Sequence, residues 1–315
     1  MSNLISVIMP VRNAEPWIKE CLESIQAQSL TNWELIVVDD HSDDNSLEIT
    51  QSASVEDKRI RALSNDGSGI IQALEKAIKS SSGTWITRMD ADDIMPPNKL
   101  DLLLKTLDSS KTSVSTGKVE YFSEDVITEG YRTYEAWINQ RVEAQDHDQW
   151  IYRECTIAGA NWMTHRDNLK WGDLKYPEDY DLVFHWYKIG CSIICVDQVT
   201  HQWRDHAART SKNSQNYKQK AFFKLKINRF IEMDMDNSKS LFILGDNRKS
   251  KLASEILKEG DIEFKVIGKD DIDLLGPHLE AQVLVAVFPP LFERNQIRKF
   301  LSYNRFQEGV NWWWL

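Results

Sequence analysis

Cysteine, proline and glycine are scarce in this chain: 4, 8 and 13 of its 315 residues. Cys21, Cys155, Cys191 and Cys195 form no Cys-x-x-Cys pair and are too few for a disulfide framework at this length, so they read as free thiols. So little glycine and proline excludes fibrous and low-complexity chains. Long apolar runs are missing as well. Runs such as Gln282–Phe292 carry a Pro-Pro pair and fall short of the roughly 18 residues that read as a membrane helix. Positive charge is in deficit, 38 Lys and Arg against 48 Asp and Glu, and a net charge of -10 repels polyanions, which argues against nucleic acid as a partner. What remains, 42% hydrophobic and 27% charged, is an ordinary globular composition, long enough for one large domain and a smaller companion.

The first ninety residues alternate β-branched runs with amphipathic stretches, the pattern of parallel strands joined by helices. Ile5–Val11 reads as the first strand. Met1-Ser2-Asn3 precedes it without a basic leader or cleavage site, so no signal peptide and a cytosolic protein are expected. Trp17, Ile18, Cys21, Leu22 and Ile25 form a helical stripe ending near Ser29. The strand Trp33–Val38 stops at Asp39-Asp40-His41-Ser42-Asp43-Asp44-Asn45, where Ser42 or Asp43 is the expected cap of the next helix. Arg59–Leu63 (strand), Gly69–Lys79 (helix) and Thr84–Met89 (strand) follow, the last running into Asp90-Ala91-Asp92-Asp93. Val114–Phe122 reads as a longer strand. Between Tyr131 and Trp203 the periodicity is weak and six tryptophans occur, at 137, 150, 162, 171, 186 and 203. Helical spacing returns over Asp179–Lys188 and Tyr217–Met233. A polar linker, Asp234–Lys239, then leads to a small α/β module of about 75 residues, a size that can fold alone. Its elements are expected at Ser240–Leu244, Lys249–Glu259, Phe264–Ile267, Gln282–Phe288, Arg294–Leu301 and Asn311–Leu315. Gly245-Asp246-Asn247 follows its first strand without the Gly-x-Gly-x-x-Gly that brings a backbone up to a pyrophosphate.

Two acid clusters thus end two strands, at the edge where open parallel sheets bind ligands. Alternate carboxylates such as Asp90 and Asp92 are often solvated turn residues. They also suit a hard divalent cation, Mg²⁺ or Mn²⁺, shared with the phosphates of a nucleoside diphosphate. Asp39-Asp40 adds acceptors for a base N–H or a ribose hydroxyl.

Val7-Ile8-Met9-Pro10-Val11-Arg12-Asn13-Ala14-Glu15, Val37-Val38-Asp39-Asp40-His41-Ser42-Asp43-Asp44, Met89-Asp90-Ala91-Asp92-Asp93 and Pro177-Glu178-Asp179-Tyr180-Asp181-Leu182, followed by Trp186 and Gly190, resemble in order and spacing the motifs of the family 2 glycosyltransferases. The resemblance covers about residues 4–235. It implies a GT-A fold, a Rossmann-like, mostly parallel sheet flanked by helices, as a catalytic domain over 1–235, with residues 240–315 as a separate α/β domain of unassigned role. It places Pro10, Arg12 and Glu15 beside the nucleotide, Asp40 at a uracil-like base, Asp90 near the ribose and Asp92 on the metal. It makes Asp179 the catalytic base and sets Glu178 beside the nucleotide-sugar. On local grounds Glu178-Asp179 is also an ordinary acidic helix start. Asn65-Asp66-Gly67-Ser68-Gly69 resembles the family's Asn-x-Gly loop and adds Asp66 to the donor site; His206, after Trp203-Arg204-Asp205, resembles a family histidine near the diphosphate and its metal.

The implied activity is inverting transfer from a nucleoside-diphosphate sugar, UDP favoured, to a saccharide hydroxyl, in polysaccharide or glycoconjugate synthesis. It implies a divalent metal, Mn²⁺ or Mg²⁺. A lipid-linked acceptor and a peripheral position at the inner face of the membrane are compatible with it. Rivals are a catalytically silent nucleotide-sugar sensor or assembly subunit, and a nucleotidyltransferase, which lacks its Gly-rich basic loop here. A dehydrogenase is excluded by the same missing glycines. The tryptophans are expected mostly in the core, with sugar stacking as the alternative, and Trp312-Trp313-Trp314 as a buried strand.

Overall fold

The computed structural model describes residues 4–107, 111–170, 174–276 and 280–315. Trp171 and the leader Met1-Ser2-Asn3 lie outside them. Two compact units divide the chain. One runs to His147 and resumes over Ile157–Lys212; the other comprises Asp148–Thr156 and Asn213–Leu315.

In the first unit the order is β1 (Ile5–Val11), α1 (Ile18–Gln26), β2 (Trp33–Asp39), α2 (Ser46–Glu56), β3 (Ile60–Ser64), α3 (Ile70–Ser80), β4 (Trp85–Arg88), α4 (Lys99–Thr106), β5 (Ser113–Phe122), α5 (Glu129–Ala144), β6 (Trp162–His165), α6 (Glu178–Lys188) and β7 (Ser192–Arg204). A short helix α7 (Thr210–Asn213) follows. Among the described residues the sheet has seven strands, ordered β3-β2-β1-β4-β6-β5-β7, with β6 antiparallel to its neighbours and the rest parallel. This is the mixed α/β, mostly parallel architecture expected. Ile5, Val7, Met9 and Val11 alternate onto one face, against Ile18, Cys21, Leu22 and Ile25 of α1, as a period of two set against one of 3.6 requires.

Four elements differ from expectation. Helix α2 starts at Ser46 behind Asn45, not behind Ser42 or Asp43. Those two instead bind the neighbouring loop: the Asn13 N–H donates to Ser42 Oγ (3.0 Å) and the Asp43 N–H to Asn13 Oδ1 (2.8 Å). Helix α5 spans 16 residues of the weakly periodic region, burying only Ile138, Arg141 and Val142, too narrow a stripe to read from spacing. Strand β7 runs 13 residues through an irregular register with β5, and the irregularity breaks its alternation. Helix α4 was not anticipated either.

The second unit holds α8 (Gln219–Met233), β8 (Ser240–Leu244), α9 (Arg248–Glu259), β9 (Lys265–Ile267), β10 (Ala281–Val285), α10 (Leu291–Tyr303) and β11 (Trp312–Trp314), its sheet parallel in the order β11-β10-β8-β9. Trp312, Trp313 and Trp314 are buried as expected. Trp313 packs against Tyr152 and Phe230, and Trp314 against Trp150 and Phe288.

Candidate active site

The strand order reverses between β1 and β4, so the loops leaving their carboxyl ends flank one crevice. On the β2 side lies Asp40, buried just past the strand, its backbone N–H on Val11 O at 2.7 Å. The Gly69 N–H approaches both its carboxylate oxygens at 2.9 Å, and Asn65 Nδ2 donates to Oδ1 at 2.8 Å. Gly69 adopts φ +97°, a conformation open to glycine and strained for other residues. Arg12 Nη1 stands 3.8 Å from Asp40 Oδ2. Asp40 is thereby fixed, with acceptor capacity left for a ligand N–H or hydroxyl.

Pro10 is half-buried in β1 opposite Val38. Glu15 is exposed and accepts from Asn45 N (3.1 Å) and Asn45 Nδ2 (2.6 Å), tying the loops after β1 and β2 together. Asp66 is exposed and paired with Lys76 Nζ at 2.6 Å. In that loop it is Asn65 that reaches Asp40.

At the end of β4, buried Arg88 donates from Nε to Asp90 Oδ1 (2.7 Å) and from Nη1 to Glu178 Oε1 (3.1 Å). One guanidinium thus joins the loop after β4 to the start of α6, 90 residues later. Burial pushes the Asp90 carboxyl above its ordinary range against the pull of Arg88. Glu178 is itself buried on Arg88, so Asp179 offers the more accessible carboxyl of the pair. Burial, reinforced by the charge of Glu178, pushes Asp179 up to about 7. Gly159 leaves it room: a Cβ there would sit 3.1 Å from Asp179 Cβ and 3.2 Å from Oδ2.

Asp92 meets His206, with Oδ2 and Nε2 2.9 Å apart. Burial raises the Asp92 carboxyl, but the His206 hydrogen bond and the Arg209 charge outweigh it and leave the group below its ordinary range. Trp17 lies 3.8 Å from the His206 ring, and His206 Nδ1 is buried without a partner. A carboxylate beside an imidazole, at the edge where two further acids face the crevice, fits Mn²⁺ or Mg²⁺. Among the described residues no cluster of three or more His, Cys, Asp or Glu could hold an ion alone.

A buried chain braces this loop from below. Asp93 Oδ2 is 2.9 Å from His201 Nε2, His201 Nδ1 is 3.3 Å from Lys99 Nζ, and Lys99 donates to Ala160 O at 2.6 Å. The Arg204 N–H donates to Asp93 Oδ1 (2.8 Å) and Arg204 Nε to Asp92 O (2.7 Å). Burial lowers Lys99 to about 7 and holds His201 well below its ordinary range, the neutral state that can accept at Nδ1 and donate at Nε2. Arg88, Asp93, Lys99, His201 and Gly159 escape sequence reasoning. The one visible signal is an Arg and an Asp immediately flanking the acid pair, in Arg88-Met89-Asp90 and Asp92-Asp93.

Of the tryptophans expected mostly in the core, Trp150, Trp162 and Trp186 are buried there, while half-buried Trp203 stacks on Tyr121 at 4.9 Å and 7°. Trp137 is half-buried beside Tyr134. All four cysteines are free thiols.

Strand-end acids at a reversal of strand order in a mostly parallel sheet define the α/β class of this protein. The chain belongs to glycosyl transferase family 2, whose family model matches residues 6–171. It is 36% identical over 125 residues to the glycosyltransferase GlyG of Streptococcus pneumoniae, a match covering 39% of this chain and only 42% of GlyG. The fold matches a crystal structure of Staphylococcus aureus TarS residues 1–349 in complex with UDP-GlcNAc, with TM-score 0.57, 16% identity and coverage of 95% of this chain and 80% of that one. It also matches glucosyl-3-phosphoglycerate synthase of Mycobacterium tuberculosis, crystallised with Mn²⁺, UDP and glucosyl-3-phosphoglycerate, with TM-score 0.51, 19% identity and coverage of 75% and 83%. Both establish the GT-A fold. Among the described residues no helix is long and apolar enough to cross a membrane.

Proposed function

We propose that this protein is an inverting glycosyltransferase that moves a sugar from a UDP-sugar to the hydroxyl of a saccharide acceptor, residues 1–235 carrying the reaction. The observation that carries this reading is the Arg88 bridge, which gathers Asp90 and Glu178-Asp179 on one side of a crevice whose other side is Asp40. Asp40, with Arg12 beside it and Pro10 and Glu15 on the neighbouring strand and loop, reads the base, and Asp90 faces the ribose. Asp179 accepts the proton of the acceptor hydroxyl as that oxygen bonds to the anomeric carbon and the bond to the diphosphate breaks on the opposite face. A carboxyl near pKa 7 suits this task, being half ionised at neutral pH and basic enough to take the proton. Asp92 and His206 would hold Mn²⁺ or Mg²⁺, which supplies positive charge to the departing diphosphate. The UDP-sugar and Mn²⁺ in the two related crystal structures support the donor and metal choices.

The test is binding and slow hydrolysis of UDP-, GDP- and dTDP-sugars with Mn²⁺ and with chelator, on the native protein and Asp179→Asn. Metal-dependent binding of one UDP-sugar, with hydrolysis lost in the variant, is the expected result. Binding without turnover in either protein would turn the reading to a sensor.

A further inference from the structure

The second unit repeats, at smaller scale, the layout that makes the first a binding fold. From β8 the chain runs outward through α9 to β9, then returns to the other side of β8 to form β10. The order therefore reverses between β8 and β10, and the crevice past their carboxyl ends is where open parallel sheets take ligands. Its two lips are joined by a hydrogen bond from Asn247 Nδ2 to Ala286 O, 3.1 Å. Four cations from four separate segments gather there. Lys249 is in the first turn of α9, where the helix dipole disfavours a positive charge. Lys226 comes from α8, is buried, and has its Nζ 3.5 Å from Arg153 O. Arg153 and Arg294 each place a guanidinium 4.2 Å from the ring of Phe288, which leaves the end of β10. Glu154 is the acid within reach of the lysines.

In a chain of net charge -10, this concentration of like charge costs folding free energy. Burial is the main cause that lowers Lys226 to about 7 and Lys249 to about 8; at Lys226 the pull of Glu154 in the opposite direction exceeds the push of Lys249 or of Arg153, while at Lys249 the charge of Arg153 adds to burial ahead of Glu154. A multivalent anion at this point would relieve the repulsion and meet ammonium and guanidinium donors together with the N-terminus of α9.

We propose that the crevice between the carboxyl ends of β8 and β10 is a second binding site, independent of the catalytic one, for a ligand bearing a phosphate or diphosphate group. The missing Gly-x-Gly-x-x-Gly argues against a dinucleotide, and the shape of the cluster calls for phosphate recognition by side chains.

Pyrophosphate is the probe, titrated calorimetrically into the whole 315-residue chain in chelator, so that metal-dependent binding at the catalytic crevice is silent. The native protein and Asp92→Ala are expected to bind it alike. Lys249→Gln and Arg153→Gln should each weaken binding at least tenfold, Lys249→Arg should retain it, and all three should bind UDP with Mn²⁺ as the native protein does, which reports an intact fold. Absence of pyrophosphate binding by the native protein overturns the site. So does binding that survives in Lys249→Gln and Arg153→Gln, or that is lost in Asp92→Ala alone. Vesicles containing phosphatidic acid that displace pyrophosphate assign the site to a lipid headgroup, and vesicles that leave it bound assign it to a soluble phosphate; either result upholds the site.

Discussion

Asp179 owes its proposed role to where it sits more than to what it is. Lifted to about 7 by burial and by Glu178, it is protonated over a range where an exposed aspartate is ionised. Two pH effects follow, of opposite sign. A base must be deprotonated to act, so kcat/KM should rise with pH and level off above about 7, as a pH profile of UDP release would show. The folded protein holds a proton that the unfolded chain loses from pH 3.8 upward, so this group costs stability as pH rises from there through about 7. Asp179→Asn should cut transfer by about 10²–10⁴-fold while leaving the donor Kd nearly unchanged, as UDP release and calorimetry would measure. Gly159→Ala tests the space beside that carboxyl. Its methyl would press on Asp179 at 3.1 Å, and turnover should fall with donor affinity kept.

The loop after β4 is held by the chain Asp93–His201–Lys99 and by Arg204, which ties α4 and β7 to it. Deleting one partner of a buried hydrogen-bonded network leaves the others unsatisfied. Asp93→Ala, which strands His201 Nε2 and the Arg204 N–H, should cost about 2–3 kcal/mol in urea unfolding. Asp92→Ala and His206→Ala should spare the fold by comparison and weaken only metal-dependent donor binding, Asp92→Ala the more because it removes the anionic ligand. Strands β1 and β2, buried on both faces, could be placed within a residue from their β-branched runs, and the apolar stripe of α1 from its period, although that helix stops at Gln26, short of the expected Ser29. Helix α5 and strand β7 could not. A narrow buried stripe in one and an irregular register in the other erase the period that the eye relies on.

Packing between segments far apart in sequence is a matter for the whole molecule. Trp150 and Tyr152 lie in the middle of the chain, yet they pack against Trp313 and Trp314 at its end, and Phe230 of α8 joins them. The segment Asp148–Thr156 and helix α8 therefore group with residues 240–315, although they precede the polar linker at 234–239. Ending the chain at residue 235 would uncover this aromatic cluster. Such a shortened protein should aggregate, or melt well below the full chain, in size-exclusion and thermal-unfolding measurements.

The sequence alone determined the parallel α/β plan and the strand ends that bear acids, because hydrophobic period and turn chemistry are local properties. It also carried the motifs of the family to which the chain belongs. Tertiary structure alone decided what those acids meet: Arg88 bridging Asp90 to Glu178, His206 returning to Asp92 from 114 residues away, and the gathering of Lys226, Lys249 and Arg153. Such pairings depend on which side chains the core brings together across long loops, and no local pattern records that.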